Sequence, residues 1–258
     1  MKIKNTLNNC EKYTFCQNYG IMNAAVKGPA GHKKLLVDKK GRSVIEKMER
    51  TNGVDSWKEV MLIYNSALKQ VETKLEVLND EFQHVHRYNP IEHIKSRIKS
   101  SESIVKKLKK NNYESTIDNM IDHVNDIAGI RVICSFTSDI YRIADMISNQ
   151  KDIKVLSVKD YITYPKASGY KSYHMLVVIP VYLSDRIVDT KVEIQIRTVA
   201  MDFWASLEHK IHYKFEGNAP EHIKRELVEC AGMVSDLDAR MLSLNEEILN
   251  LSEKSNKE

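Results

Sequence analysis

The chain has 258 residues, of which 42% are apolar and 29% are charged. This composition provides for a hydrophobic core and excludes disorder throughout, and the length suits one large domain or two small ones. The formal net charge of +4 is too small by itself to indicate a nucleic-acid-binding protein. The four cysteines have neither disulfide-framework nor zinc-site spacing, which is typical of a reducing cytoplasm. No apolar run approaches the roughly 20 residues that span a bilayer, so we expect no membrane association.

The N-terminal part of the chain differs from the rest. Residues 1–54 are rich in Asn, Lys and Gly without a sustained period, and we interpret them as a loosely ordered extension. From Trp57 to Leu78, apolar residues recur every three or four positions, which predicts a helix that ends by Tyr88. Pro90 then occupies a position that is permitted in a first helical turn, which predicts a second helix that runs to Lys110.

The middle of the chain alternates between strand and helix patterns. Strands are predicted at 130–136, 153–158, 172–181 and 191–197, and helices at 139–149 and 199–215. This mixture predicts an α+β fold, with a sheet domain that has helices before and after it. In the last helix, nine apolar residues from Ile223 to Leu251 are spaced alternately four and three apart. Such a heptad-like seam indicates either packing within the chain or a subunit interface, and both interpretations stay open.

Polar side chains in two predicted strand regions are candidate site residues. Glu193, Gln195 and Arg197 alternate with apolar residues and therefore share one face of a strand. Burying such a row of polar side chains without partners costs free energy, whereas the same row on a solvated face is ordinary. Asp126 and Arg131 lie at the entry to another strand, and the glycine between them allows a close approach to a ligand. Alternatively, Asp126 caps a helix and Arg131 is an ordinary surface arginine.

Two further segments have the composition of phosphate or nucleotide sites. The loop at 161–174 combines Gly, Ser and Pro with lysines and with a tyrosine that could stack on a base, although an ordinary polar loop has the same composition. The segment at 91–110 is strongly basic, and Ser103, Lys107 and Lys110 fall on one stripe of the predicted helix. That stripe suits a polyphosphate clamp, an RNA contact or a solvated face.

Together, these segments resemble the synthetase domain of the RelA/SpoT family, most closely the stand-alone small alarmone synthetases of the RelQ type. The matching motifs are Asp126–Arg131, Ser168–His174, Val192–Thr198 and Phe203–Ala205. The resemblance covers roughly residues 57–250 and implies a nucleotidyltransferase-like domain with a mixed β-sheet at 55–220. It also implies a homotetramer, and the predicted C-terminal helix at 221–258, whose seam is compatible with such an assembly, is the candidate for oligomerisation.

The resemblance implies transfer of the β,γ-pyrophosphate of ATP to the ribose 3′-hydroxyl of GDP or GTP, with GMP as a further candidate acceptor. The products would be AMP and (p)ppGpp-type alarmones of the stringent response, and the cofactor would be Mg²⁺. The implied catalytic residues and metal ligands are Asp126 and Glu193. The implied ATP-binding residues are Arg97, Ser103, Lys107, Lys110 and Arg131. The implied guanine-nucleotide-binding residues are Lys166, Tyr170, His174, Gln195 and Asp202.

Three positions depart from the RelQ pattern. Asp202 stands where that pattern carries Asn, which bears on the choice of acceptor. His93 and Lys95 replace an aromatic residue and a Thr that the resemblance associates with alarmone binding between subunits, so activation by the product stays open. An alarmone and an RNA are both candidate regulators. The chain contains no His-Asp dipeptide, and we therefore expect no hydrolase activity. Two alternatives remain: a nucleotidyltransferase-like enzyme with another acceptor, and a non-catalytic RNA-binding regulator.

Overall fold

The computed structural model describes residues 57–86, 88–215 and 219–255. The prediction for residues 1–54 lies outside these ranges. The elements follow the order α1 (Trp57–His84), β1 (Ile91–Ile98), α2 (Ser101–Lys110), α3 (Ile117–His123), β2 (Ala128–Cys134), α4 (Thr137–Ser148), β3 (Lys154–Asp160), β4 (Tyr173–Tyr182), β5 (Ile187–Thr198), α5 (Val199–Lys214) and α6 (Glu221–Ser255).

The five strands form one sheet in the order β1-β2-β5-β4-β3. β2 and β5 run parallel at its centre, and the other neighbouring pairs are antiparallel. A parallel pair needs a crossover connection, and the chain between β2 and β5 supplies it with α4, β3 and β4. The predicted α+β fold with a mixed sheet is therefore confirmed.

The second predicted helix is wrong in its first half. Residues Ile91–Ile98 form the edge strand β1, and the helix α2 begins only at Ser101. Ile91, Ile94 and Ile98 are spaced three and four apart, which imitates a helix, but a bulge between Ile91 and His93 interrupts the strand's alternation. Ser100 then caps α2, because its side chain accepts a hydrogen bond from the backbone N–H of Ser103.

One face of the sheet carries the hydrophobic core. The apolar faces of α1 and α4 pack against alternate residues of the three central strands. These strand residues are Ala128, Ile130, Val132 and Cys134 of β2, Met175, Val177, Ile179 and Val181 of β4, and Val192, Ile194 and Ile196 of β5. The residues between them point to the opposite face, which therefore remains available for polar side chains.

The C-terminal helix α6 docks through its first half on α5 and on the loop before β4. The indole N–H of Trp204 donates to the carbonyl oxygen of Leu227 at 2.9 Å, and Ala231 is buried beside the Trp204 ring. The second half of the apolar seam is different, because Leu237, Met241, Leu244, Ile248 and Leu251 are all exposed in the single chain. Packing within the chain thus accounts for only part of the seam. Among the described residues, no helix is both long enough and apolar enough to cross a membrane.

Candidate active site

Three adjacent strands bring the polar residues of distant motifs into one cleft. Arg97 on β1 lies opposite Gly129 on β2, and Gly129 lies opposite Glu193 on β5. In the neighbouring row, Arg131 lies opposite Gln195. The cleft has a volume of about 290 Å³, and its lining residues are Lys95, Ser96, Arg97, Asp126, Gly129, Ile130, Arg131, Glu193 and Gln195.

Asp126 is held between two lysines at one end of this cleft. Its two carboxylate oxygens accept hydrogen bonds from Lys99 Nζ at 2.6 Å and from Lys107 Nζ at 2.8 Å. Burial raises the pKa of this carboxyl, but the hydrogen bonds and charges of Lys107 and Lys99 outweigh burial and leave the pKa below its ordinary value. Asp126 is therefore ionised at neutral pH. The role of Lys99 was missed by the sequence interpretation, which counted it only among the basic residues of a helix.

Glu193 lines the same cleft with its two oxygens facing different partners. Gln195 Nε2 donates to Oε2 at 2.8 Å, and His174 Nδ1 lies 3.6 Å from Oε1. Burial and the negative charge of Asp126 raise the pKa of Glu193. The contacts with His174 and Gln195 lower this pKa by more than those two effects raise it. The net effect is a pKa below the ordinary value, so Glu193 is an ionised carboxylate in a partly buried position.

The predicted guanine-nucleotide residues form a connected group beside Glu193. The Tyr170 hydroxyl lies 2.8 Å from His174 Nε2, so a chain of contacts links Tyr170 through His174 to Glu193. Lys166 Nζ lies 4.7 Å from the centroids of both the Tyr161 and Tyr170 rings, a distance at which a cation is attracted to an aromatic face. The structure thus brings together three of the predicted residues around one aromatic cluster.

Asp202 faces two arginines. Its Oδ1 accepts hydrogen bonds from Arg131 Nη1 and from Arg197 Nη1, each at 3.0 Å. Burial and the nearby Arg197 charge lower the pKa of Arg131, whereas Asp202 raises it and so offsets part of the effect. Among the described residues, the buried Nε atom of Arg131 has no hydrogen-bond partner, which leaves a donor unused at the cleft. The carboxylate that departs from the RelQ pattern therefore neutralises charge on the cleft's own arginines.

Two predicted ATP-side residues lie away from the cleft lining. Ser103 is in the first turn of α2, where its hydroxyl accepts from Ser100 at 3.0 Å, and Lys110 lies at the exposed end of the same helix. Lys107 is connected to the cleft through Asp126. Of the departing positions on β1, Lys95 lines the cleft, whereas His93 does not.

The donor set fits a magnesium ion. Two carboxylates, Asp126 and Glu193, line one cleft, and Mg²⁺ is ordinarily held by one or two carboxylates together with substrate phosphates and water. Within the described ranges, no group of three or more His, Cys, Asp or Glu side chains could form an all-protein metal cage. The remaining ligands would have to come from phosphates, which the surrounding lysines and arginines also favour.

Ionised carboxylates beside several cations define a site suited to polyphosphate transfer, because that chemistry depends on positioning and charge neutralisation. Residues 96–218 match the family described as "Region found in RelA / SpoT proteins". GTP pyrophosphokinase YwaC from Bacillus subtilis (strain 168) is 46% identical over 195 residues, which are 76% of this chain and 93% of that protein.

Solved structures agree with this match. Small alarmone synthetase 2 from Bacillus subtilis has 45% identity and a TM-score of 0.68, over 74% of this chain and 98% of that chain. Small alarmone synthetase 1 from Bacillus subtilis, solved with its product pppGpp, has 34% identity and a TM-score of 0.70, over 74% of this chain and 97% of that chain. The chain belongs to the RelA/SpoT family, and the predicted likeness to its small alarmone synthetases is confirmed.

Proposed function

We propose that the protein is a GTP pyrophosphokinase that transfers the β,γ-pyrophosphate of ATP to the ribose 3′-hydroxyl of a guanine nucleotide, giving AMP and (p)ppGpp. The observation that carries the proposal is the convergence of Asp126 and Glu193 on one cleft that also contains Arg97 and Arg131. The names of its relatives support the same reaction. GDP and GTP are the proposed acceptors, with GMP as a further candidate.

The donor nucleotide is assigned to the β1–β2 side of the cleft. Arg97 and Arg131 reach the cleft from neighbouring strands, and planar guanidinium groups can stack on both faces of adenine. Lys99 and Lys107, which now bind Asp126, lie where the phosphates of ATP would meet that carboxylate. Ser103 and Lys110, which lie on α2 outside the cleft lining, are also assigned to ATP.

The acceptor nucleotide is assigned to the β4–β5 side. Glu193 is ionised and can accept the proton of the 3′-hydroxyl as that oxygen attacks the β-phosphorus of ATP. A carboxylate is a far weaker base than the alkoxide of a ribose hydroxyl, so proton transfer must accompany bond formation rather than precede it. Tyr170 is assigned to the guanine base and Lys166 to its phosphates. Gln195, His174 and Asp202 are assigned to the orientation of these groups.

A magnesium ion bound by Asp126 and Glu193 would neutralise phosphate charge and align the reacting phosphorus. The chain's own cations supplement that charge: Arg131 lines the cleft, and Lys99 adjoins it. The ribose hydroxyl remains a poor nucleophile unless Glu193 takes its proton.

The proposal is tested by incubating the protein with labelled ATP, Mg²⁺ and GMP, GDP or GTP separately, and by resolving the products. AMP together with labelled (p)ppGpp is the expected result, whereas release of free pyrophosphate would indicate nucleotidyl transfer. Glu193→Gln should reduce kcat by about 10²-fold or more while ATP still binds. Asp189→Asn is the matched control, because Asp189 is an exposed carboxylate on the same strand. Equal activity of wild type and Glu193→Gln would refute the assigned role.

We also propose that α6 mediates self-association in a homotetramer and that the enzyme works in the cytoplasm. The support for association is the exposed second half of the seam, from Leu237 to Leu251, since a contiguous apolar stripe of this kind is typical of an interface. Sedimentation of the purified protein measures the number of subunits, and a monomer at all concentrations would contradict this assignment.

A further inference from the structure

Arg197 is a buried cation that the donor and acceptor assignments leave without a role. It is 4% exposed and follows Gln195 on the site face of β5. Its guanidinium donates to Tyr170 Oη at 2.5 Å, to Gln195 Oε1 at 3.1 Å and to Asp202 Oδ1 at 3.0 Å, and its Nε donates to Ser172 Oγ at 3.3 Å. Such a set of contacts fixes the guanidinium in one orientation.

The first consequence concerns the amide of Gln195. A guanidinium has five donors and no acceptor, so only the amide oxygen can face Arg197. The amide nitrogen must then point the other way, where it donates to Glu193 Oε2 at 2.8 Å. Arg197 thereby excludes the flipped amide, which would present an oxygen to the Glu193 carboxylate and repel it.

The second consequence concerns His174. Because Arg197 donates to the Tyr170 hydroxyl, that hydroxyl can use its own proton toward His174 Nε2, which lies 2.8 Å away. Nε2 is then an acceptor, and a neutral imidazole carries its proton on the other nitrogen, Nδ1. Nδ1 is the atom that faces Glu193 Oε1 at 3.6 Å. The same arginine therefore directs a second N–H toward the second oxygen of Glu193.

We propose that Arg197 is a positioning residue which, through Gln195 and through Tyr170 and His174, directs one N–H donor to each oxygen of Glu193. Both of these hydrogen-bond chains begin at one nitrogen, Arg197 Nη2, since it donates to Tyr170 and to Gln195. Asp202 and Ser172 hold the guanidinium from the other side. The inference deepens the proposed function, because an oriented Glu193 carboxylate serves the acceptor hydroxyl.

The test uses the tautomer of His174, which does not depend on turnover. The full chain is labelled with ¹⁵N-histidine, and the ring nitrogens are observed by solid-state NMR at about pH 8.5. His174→Gln identifies the signal. The wild type is expected to carry its proton on Nδ1, and Arg197→Met is expected to give a mixture or the Nε2-protonated form.

Kinetics provide the second measurement. Arg197→Met should reduce kcat by about 10²-fold, the effect of a small misplacement of a reacting group, while the KM for ATP changes little. Arg197→Lys should restore little of the lost kcat, because a single ammonium group cannot reproduce the forked geometry of the guanidinium. Arg225→Met, at an exposed arginine on α6, is the matched control and should retain full kcat.

Two outcomes would overturn the inference. One is a folded Arg197→Met protein with the wild-type tautomer and wild-type kcat. If Arg197→Met fails to fold, Tyr170→Phe takes its place, because it removes only the hydroxyl between Arg197 and His174. The second refuting outcome is a Tyr170→Phe protein in which His174 keeps the wild-type tautomer. A wild type that has the expected tautomer but makes no alarmone would instead refute the proposed function and leave the hydrogen-bond inference intact.

Discussion

Replacement of Gly169 by alanine perturbs the contact between the loop before β4 and the C-terminal helix α6. Gly169 has φ of +86°, a conformation that side chains of L-residues rarely adopt. A Cβ atom built there would lie 2.5 Å from Ala231 Cβ on α6. Gly169 is one residue from Tyr170, so a shift of this backbone moves the group that we assign to the guanine base.

The magnitude follows from two separate costs. A left-handed backbone costs an L-residue about 1–2 kcal/mol. Two carbons at 2.5 Å are well inside their optimal separation of about 3.5–4.0 Å, and overpacking of this kind typically costs about 1–3 kcal/mol. Gly169→Ala should therefore reduce the free energy of unfolding by roughly 2–5 kcal/mol, which is a large share of the 5–15 kcal/mol typical of a domain.

The assay is urea unfolding followed by circular dichroism, combined with the KM for the guanine nucleotide. Gly232→Ala is the matched control, because a Cβ there meets nothing within 4 Å and alanine favours the helix by about 1 kcal/mol. Ala231→Gly in the Gly169→Ala background removes the clash but not the backbone strain, so the double variant should be more stable than the sum of the single effects predicts. A Gly169→Ala protein as stable as wild type, with an unchanged KM, would refute this reasoning.

Two further predictions concern acid stability and assembly. The pKa values of Asp126 and Glu193 lie below their ordinary values of 3.8 and 4.5, so the stability that these carboxylates contribute is complete above about pH 4.5 and is lost as the pH falls through the depressed pKa values. Asp126→Asn should therefore lose less thermal stability than wild type on acidification, and an identical loss in both proteins would contradict the assignment. Leu244→Glu, within the exposed part of the seam, should shift sedimentation toward smaller species, whereas Ser243→Glu on the neighbouring exposed position should not. Equal sedimentation of both variants and wild type would exclude this part of α6 from an interface.

The central strands could be predicted from the sequence because their two faces differ strongly. In β5, valine and isoleucine alternate with Glu193, Gln195 and Arg197, so period 2 is unmistakable and the polar row falls on the site face. β1 lacks that contrast, since it is an edge strand whose residues are mostly exposed and whose alternation is broken by a bulge. β1 pairs with β2, which is distant in sequence, and this pairing outweighs the helix preference that the spacing of its isoleucines indicates.

The site residue Lys99 was missed for the same reason. Lys95 and Arg97 alternate on β1, and Lys99 directly follows the strand, so a period of two among these cations was the available sign of a strand that faces the cleft. Because the segment was interpreted as a helix, Lys99 was not assigned to the site, although it donates to Asp126. The short helix α3 was also missed, because its seven residues are too few to show a helical period.

The chemistry of the site depends on pairing that no local pattern contains. Asp126 and Glu193 belong to different motifs, and they line one cleft because β2, which begins two residues after Asp126, pairs in parallel with β5 at the centre of the sheet. Gly129 lies between Arg97 and Glu193 in that register, and a Cβ there would make only an ordinary contact of 3.9 Å with Arg97 Cγ. Because the fold would tolerate a methyl group at this position, the glycine is better explained by the space that it leaves on the cleft floor. That space lies between Arg97, which we assign to the donor nucleotide, and Glu193, which we assign to the acceptor nucleotide.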